Sequence, residues 1–440
     1  MSQPEALKKT LGPVMLWGLG VGYVISGEYF GWNLGLPLGG TLGMLLATLL
    51  VTLMYVCFVL SYAELACALP KAGGAFVYCA RALGPRWGAT AGLAQLVEFV
   101  FAPPAIAMAI AAYVAQRYAG ADPRLVAVAA YLLFTALNGW GVKQAALFEL
   151  VVTVLAVLEL LLFVGFTLPH FDLQAFNQEA LPNGISGIFA CLPFAIWFYL
   201  AIEGVANVAE EARNPQRDVP IGFGAAILTL VVLALLVFFA ATGVAGWRAI
   251  VFAPGASEPS DAPLPLALAH VVGSDSPLFT LLLGVGLLGL VASFHGILLA
   301  AGRATLELGR AGYAPRLLGK VHAGSGTPRA ALVFNMLIGV IAILSGRTAQ
   351  IITLSCFGAL LLYILSMFAL FRLRRVEPAL ARPYKALCYP WFPAVALLLS
   401  ALCLVALSVS NPEIAVLFVV ILALGLGYSL WTLRARESAG

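Results

Sequence analysis

Apolar runs of about twenty residues, each bounded by prolines, glycines or charges, recur along almost the whole chain. A helix needs ~20 such residues to cross the ~30 Å hydrocarbon layer of a bilayer, and that layer tolerates no unpaired backbone. The runs therefore restrict the chain to a bundle of membrane-crossing helices. Only 10% of the 440 residues are charged and 62% are hydrophobic, whereas about a quarter of a soluble domain is charged. Too few polar residues remain to cover a large water-soluble core. Twelve spans are predicted, at about 14–35, 40–66, 88–115, 125–140, 145–168, 187–208, 221–243, 278–301, 330–346, 350–371, 391–409 and 412–432.

Basic residues set the expected orientation. With the N-terminus in the cytoplasm and one crossing per span, four of the 24 Lys and Arg residues fall outside: Arg117, Arg124, Arg248 and Arg347. The rest fall inside, mostly in loops 71–86, 303–329 and 372–385, which is the positive-inside bias. One span more or fewer would reverse every later loop, so both termini are expected inside. Lys8 and Lys9 precede a full-length apolar run with no small-residue cleavage pattern, so the first span is expected to be retained. Loop 67–87 is expected to carry a short amphipathic segment, and 303–329 an interfacial amphipathic helix. The longest external loop, 244–277, is rich in Pro, Gly, Asp and Ser. The net charge of +4 gives no sign of a nucleic-acid partner. Seven cysteines and four scattered histidines show no metal-ligand spacing, so no cofactor, metal or catalytic residue is expected. Membrane lipid is the expected surroundings, and nothing sets an oligomeric state.

The first span breaks the rule that a membrane helix is apolar and uninterrupted. LWGLGVGYVISGEYFGWNLGLPLGG, residues 16–40, contains six glycines by Gly35, with Glu28 and Asn33 among them. A carboxylate at the bilayer centre is costly and normally faces a cavity or a partner. The sixth span, GIFACLPFAIWFYLAIEGVANVAEE from residue 187, repeats the feature with Glu203–Gly204. Five spans separate the two, as in a fold of two five-helix halves, and interrupted helices at matching positions point to a transporter's binding site. Glu98 in the third span reads equally as a substrate or proton group and as a structural carboxylate. Glu149 reads as too close to the cytoplasmic end to take part, and a structural role is favoured for Glu159. Ser293 and His295 in the eighth span read as packing as readily as ion handling. Among the aromatics, Trp197 is singled out by its place beside the break, where an indole can stack on a cation.

Three motifs make the chain resemble the amino acid–polyamine–organocation transporter superfamily over essentially its whole length. FAIWFYLAIEGVANVAEEARNPQRDVP (194–220) resembles that family's sixth helix and following loop, with Trp197, Glu203–Gly204, Glu210–Glu211, Asn214–Pro215, Arg217 and Pro220. SYAELACALPKAGGAFVYCARALGPRWG (61–88) resembles the loop after the second helix. GRATLELGRAGYAPRLLGKVHAGSGTPRAAL (302–332) is the third match, with Arg303, Gly309–Arg310, Gly312, Pro315 and Thr327–Pro328. The resemblance implies an all-α polytopic fold of twelve helices: an inverted repeat of 14–168 and 187–371, with 391–432 as two further helices. It implies alternating access, with substrate held between broken helices one and six and contributions from helices three, eight and ten. Carried onto this chain, the substrate residues are Ile25, Ser26 and Gly27 with Trp197, Leu200, Ala201 and Ile202, and Glu203 matches a glutamate of gating or proton coupling.

One departure from that pattern bears on substrate. Where amino acid carriers have small residues that take a carboxylate, this chain has ISGEYFGWN, and the charge of Glu28 repels an α-carboxylate. SGEYFGWN, with EGVAN later, resembles the ethanolamine permease branch. That resemblance implies a bacterial inner-membrane permease importing a small amine, ethanolamine, with Glu28 or Glu98 offsetting the ammonium. Proton coupling, uniport and exchange all remain open, as does sodium involvement. The alternatives are an amino acid or polyamine transporter or exchanger and, in a different class, a channel-like or receptor-like membrane protein.

Overall fold

The computed structural model describes residues 9–71, 73–118, 120–140, 145–322 and 324–437; Lys8 lies outside them. Among the described residues the chain forms helices and no strand, with two isolated bridges. The helices are α1 (Pro13–Val24), α2 (Ser26–Tyr29), α3 (Leu36–Ala68), α4 (Ala75–Leu83), α5 (Pro85–Ala115) and α6 (Pro123–Trp140). Next come α7 (Ala145–Thr167), α8 (Leu173–Asn177), α9 (Gly184–Ala190), α10 (Leu192–Trp197), α11 (Pro215–Ala245) and α12 (Trp247–Val251). The last six are α13 (Pro263–Val272), α14 (Pro277–Ala311), α15 (Arg329–Ser345), α16 (Thr348–Val376), α17 (Trp391–Ser410) and α18 (Pro412–Glu437). Proline occupies the first turn of α1, α3, α5, α10, α11 and α14, where its missing N–H costs nothing and its fixed φ suits the helix.

The expected spans fall on helical segments. Among the described residues, nine segments are long and apolar enough to cross a membrane, and α1, α13 and α15 are shorter apolar helices. Large apolar side chains such as Leu155, Leu158, Leu398 and Val409 stand outward. In water such a surface would associate; in a bilayer it is the lipid-facing wall. The chain is an all-α polytopic membrane protein.

The two interrupted segments lie inside the bundle. α1 packs on α11, α7 and α14, α10 packs on α3 and α16, and α5 packs most extensively on α16 and α14. α17 and α18 lie at the periphery, and α18 is the more exposed of the two. At the arginine-rich end, Glu64 near the end of α3 takes Arg374 Nε (2.8 Å) and Nη2 (2.5 Å), Arg382 Nε (3.2 Å) and the Ala386 N–H (2.7 Å). These donors satisfy a carboxylate that is 1% exposed and clamp the 377–390 connection to α3 and α16.

One loop differs from expectation. α4 is the amphipathic segment expected in 67–87, but among the described residues of 303–329 there is no separate interfacial helix. α14 runs straight on to Ala311, and Gly312, Pro315, Gly319 and Gly326 then break the chain too often for another helix. The external 244–277 stretch is partly helical, because Leu264 and Leu268 of α13 are apolar enough to bury against the bundle.

Candidate functional site

The first interruption, expected around residues 25–28, is completed a few residues later, at Phe30 and Gly31. α1 and α2 meet at Ile25, whose backbone is still right-handed, so Ser26, Gly27 and Glu28 stay in a final helical turn. The chain leaves the helix at Phe30, which is extended, and at Gly31, with φ +90°, then makes a 3-10 turn over Trp32–Gly35. Only glycine adopts that φ without strain. Asn33 holds the turn: its Oδ1 accepts the Gly31 N–H (3.0 Å), and its Nδ2 donates to the Ser260 carbonyl (2.8 Å) in the external loop.

The second interruption, expected at Leu200–Glu203, begins slightly earlier. α10 ends at Trp197, residues 198–201 unwind, and Ile202–Glu211 form a ten-residue 3-10 helix. Runs of that length are uncommon because 3-10 hydrogen bonds are poorly aligned. Ala201 has φ +77°, a left-handed conformation that costs a residue with a Cβ about 1–2 kcal/mol. Its N–H donates to Glu98 Oε1 at 3.1 Å, so the carboxylate on α5 holds the strained residue in place.

The two interruptions touch through glycine. A Cβ on Gly27 would overlap the Trp197 carbonyl oxygen, with the Phe198 Cα 3.1 Å away, and a Cβ on Gly31 would meet the Trp197 indole nitrogen at 2.5 Å. Aromatic rings complete the contact: Phe30 lies edge-on to Trp197 at 5.5 Å, and Trp32 stacks on Phe198 at 5.7 Å. Ser26 is tied to α14 by the Ser293 hydroxyl, which donates to the Tyr23 carbonyl or to Ser26 Oγ, each 2.8 Å away. Ile25, Ser26, Glu28, Trp197, Leu200, Ala201, Ile202 and Glu203 are all buried.

The buried carboxylates divide into separate settings. Glu98 on α5 and Glu203 after the second interruption are neighbours, and Glu98 Oε2 and Glu203 Oε1 are both buried with no hydrogen-bond partner among the described residues. Glu203 Oε2 accepts the Tyr363 hydroxyl at 3.0 Å, and Tyr363 Oη is 3.1 Å from Tyr55 Oη. Glu28 has both oxygens buried with no hydrogen-bond partner among the described residues, as does the Trp197 indole N–H. Glu159 accepts the Tyr29 hydroxyl at 2.7 Å and so ties α2 to α7. Glu149, set aside on sequence position, is only 2% exposed and lies against Gly22 and Gly296, with Oε2 3.8 Å from His295 Nδ1. Its place one turn inside the helix end was hidden because α1 and α14 fold over it.

Tyr363 and Tyr55 were not singled out in the sequence. Each is one aromatic in an apolar helix, a pattern that packing alone produces. The only available signal was the hydroxyl, which a buried tyrosine must satisfy.

Both ends of this region are closed. On the arginine-rich end, Gln95 Nε2 donates to Asn207 Oδ1 (3.2 Å), Arg303 pairs with Glu211 (3.0 Å), and Arg213 N–H donates to the Leu11 carbonyl (2.8 Å). On the other, the Asn33–Ser260 bond is joined by Thr348 donating to Asp261 Oδ2 at 3.0 Å. Burial pushes the Asp261 carboxyl up to about 6, with the Thr348 hydrogen bond opposing it. A raised carboxyl pKa means that the folded loop holds the proton more tightly than the unfolded chain. That stability is full below the unfolded value of about 3.9 and is lost as pH rises through about 6. Asp261→Asn is therefore expected to remove part of the gain in thermal stability between pH 7.5 and pH 5. Identical pH dependence in the two proteins would take Asp261 out of the closure.

The amino acid permease family profile matches residues 11–431. The chain is 31% identical to an uncharacterised transporter of Rhizobium meliloti, over 91% of this chain and 87% of the relative. It is 26% identical to a methylthioribose transporter of Bacillus subtilis, over 92% and 88%. It is also 26% identical to a branched-chain amino acid permease of that organism, over 90% and 88%. With a helical membrane fold and a match over nearly its full length, the chain is a transporter rather than an enzyme, and it belongs to the amino acid permease family of the amino acid–polyamine–organocation superfamily.

Proposed function

We propose that the protein is a secondary transporter of a small amine, ethanolamine, held between the interrupted first and sixth helices. The observation that carries this reading is Glu28: a fully buried carboxylate with neither oxygen hydrogen-bonded among the described residues. An uncompensated charge at that depth needs a cation or a proton. An ammonium supplies the cation, whereas an α-carboxylate adds repulsion. Trp197, whose indole N–H also lacks a partner, offers a hydrogen bond or a π face to the same ligand. Ser26 and Gly27 bring a hydroxyl and close backbone approach for the alcohol end. The branched-chain amino acid permease and the methylthioribose transporter share the frame but differ from each other in substrate, so neither name transfers.

Transport on this reading is alternating access between two inverted five-helix halves, 14–168 and 187–371, with 391–432 outside the repeat. The closures at both ends support it, because a ligand reaches the buried interruptions only if one end opens. The basic end faces the cytoplasm of a bacterial inner membrane, both termini included. Glu203, shared with Glu98 and Tyr363, is the proton-coupling group. Glu203→Gln is expected to flatten the pH dependence of uptake while binding persists; unchanged pH profiles would remove it from coupling.

The test of function is uptake of labelled ethanolamine into liposomes holding the purified protein, with alanine, lysine and putrescine as competitors. Accumulation above electrochemical equilibrium separates a coupled carrier from a channel. Robust alanine or lysine transport without ethanolamine uptake would overturn the substrate.

A further inference from the structure

A groove of about 840 Å³, remote from the helix interruptions, opens on the outer wall of the bundle. It runs along α16 between that helix and the α4–α5 corner. Leu361, Ile364, Phe368 and Phe371, at helical spacing, form its floor with the more deeply buried Leu365, and Leu83 with Trp87 forms one wall. From Leu361 to Phe371 the helix rises ~15 Å, half the ~30 Å hydrocarbon thickness of a bilayer. The apolar floor thus matches the depth of one leaflet. At its end the stripe becomes basic: Arg372 and Arg375 line the mouth, and both are exposed.

Those two arginines differ from their neighbours. Arg374 is taken by Glu64 and stacks over Tyr389, Arg382 is taken by Glu64, and Arg81 pairs with Glu377 at 2.6 Å. Arg372 and Arg375 have no hydrogen-bond or ion-pair partner among the described residues. Trp87, 51% exposed, sits at the same end, where an amphipathic ring prefers headgroup level. An apolar slot one leaflet deep, capped by two free guanidinium groups that fork onto phosphate oxygens, has the charge and length of one kind of occupant.

The geometry points to a binding site for an anionic phospholipid, with an acyl chain along Leu361–Phe371 and its phosphate on Arg372 and Arg375. The lipid bridges α16, which carries Tyr363 to Glu203, and the α4–α5 corner. Its binding braces the helix behind the carboxyl pair.

The test is thermal unfolding of delipidated, detergent-purified protein titrated with phosphatidylglycerol or with phosphatidylcholine of the same chains. The wild type is expected to gain stability from phosphatidylglycerol at lower concentration than from phosphatidylcholine. Arg372→Gln with Arg375→Gln should weaken the apparent phosphatidylglycerol affinity about 25-fold, from ~1 kcal/mol per arginine. Ile364→Trp, which fills the slot, should weaken both lipids. Arg316→Gln with Lys320→Gln removes two exposed charges at the same end of the molecule and should preserve the preference. Equal effects of the two lipids on the wild type would overturn the site. So would a preference that survives loss of Arg372 and Arg375, an equal loss in the Arg316 and Lys320 control, or a full shift from inorganic phosphate alone. If the double variant does not fold, native mass spectrometry of the wild type decides: retained phosphatidylglycerol over phosphatidylcholine supports the site, and equal retention contradicts it.

Discussion

Gly27→Ala is expected to abolish uptake while the protein remains inserted and folded. The added methyl would overlap the Trp197 carbonyl oxygen, and backbone on both sides leaves no flexible side chain to move aside. Overpacking of this kind costs up to about 3 kcal/mol, which is roughly a hundredfold in any equilibrium that must bring the two interruptions together. Gly224→Ala is the matched control, because a Cβ there meets nothing within 4 Å. Initial rates of uptake at equal protein per liposome separate the two. A Gly27→Ala protein that transports as well as Gly224→Ala would mean that helices one and six do not need this close approach.

Glu98→Ala is expected to have the next largest effect, through the strained residue it supports. Removing the carboxylate leaves the Ala201 N–H buried without its acceptor, which costs about 1–3 kcal/mol, or roughly 10- to 100-fold in transport. Glu98→Gln keeps an oxygen acceptor and should retain much of the activity that alanine loses. Ala201→Gly removes the penalty of the positive φ, so adding it to Glu98→Ala should restore part of the rate. Absence of rescue, with Gln as damaging as Ala, would shift the role of Glu98 from holding the backbone to carrying charge.

The sequence makes the second interruption easier to find than the first. Glu203–Gly204 and the preceding aromatics mark a break that the backbone makes at residues 198–201. In the first span the eye is drawn to Glu28, but a glutamate tolerates helical geometry and the chain waits for Gly31 to turn. Spacing within one helix cannot reveal that Ser293 reaches Ser26, that Tyr363 reaches Glu203, or that His295 faces Glu149. Each pair joins residues more than a hundred positions apart, on elements whose facing sides are set only when the bundle packs. Glu149 illustrates the cost of reading depth from position alone: near a helix end in sequence, it is enclosed by α1 and α14 in the fold.

The sequence was more direct about what lies between elements. Prolines mark the first turns of many of the helices, and the basic loops collect at one end of the bundle. The free arginines at the α16 groove were counted only as topology signals, because nothing in the sequence distinguishes Arg372 and Arg375 from the paired Arg374 between them.

If a buried anionic site beside the helix interruptions holds an amine, the purified protein binds labelled ethanolamine at equilibrium. Saturable binding is predicted, displaced by unlabelled ethanolamine and not by alanine, and weakened at least about tenfold in a monodisperse Glu28→Gln protein, the equivalent of ~1.4 kcal/mol. Displacement by alanine at the same concentration, or undiminished ethanolamine affinity without the Glu28 charge, would contradict it.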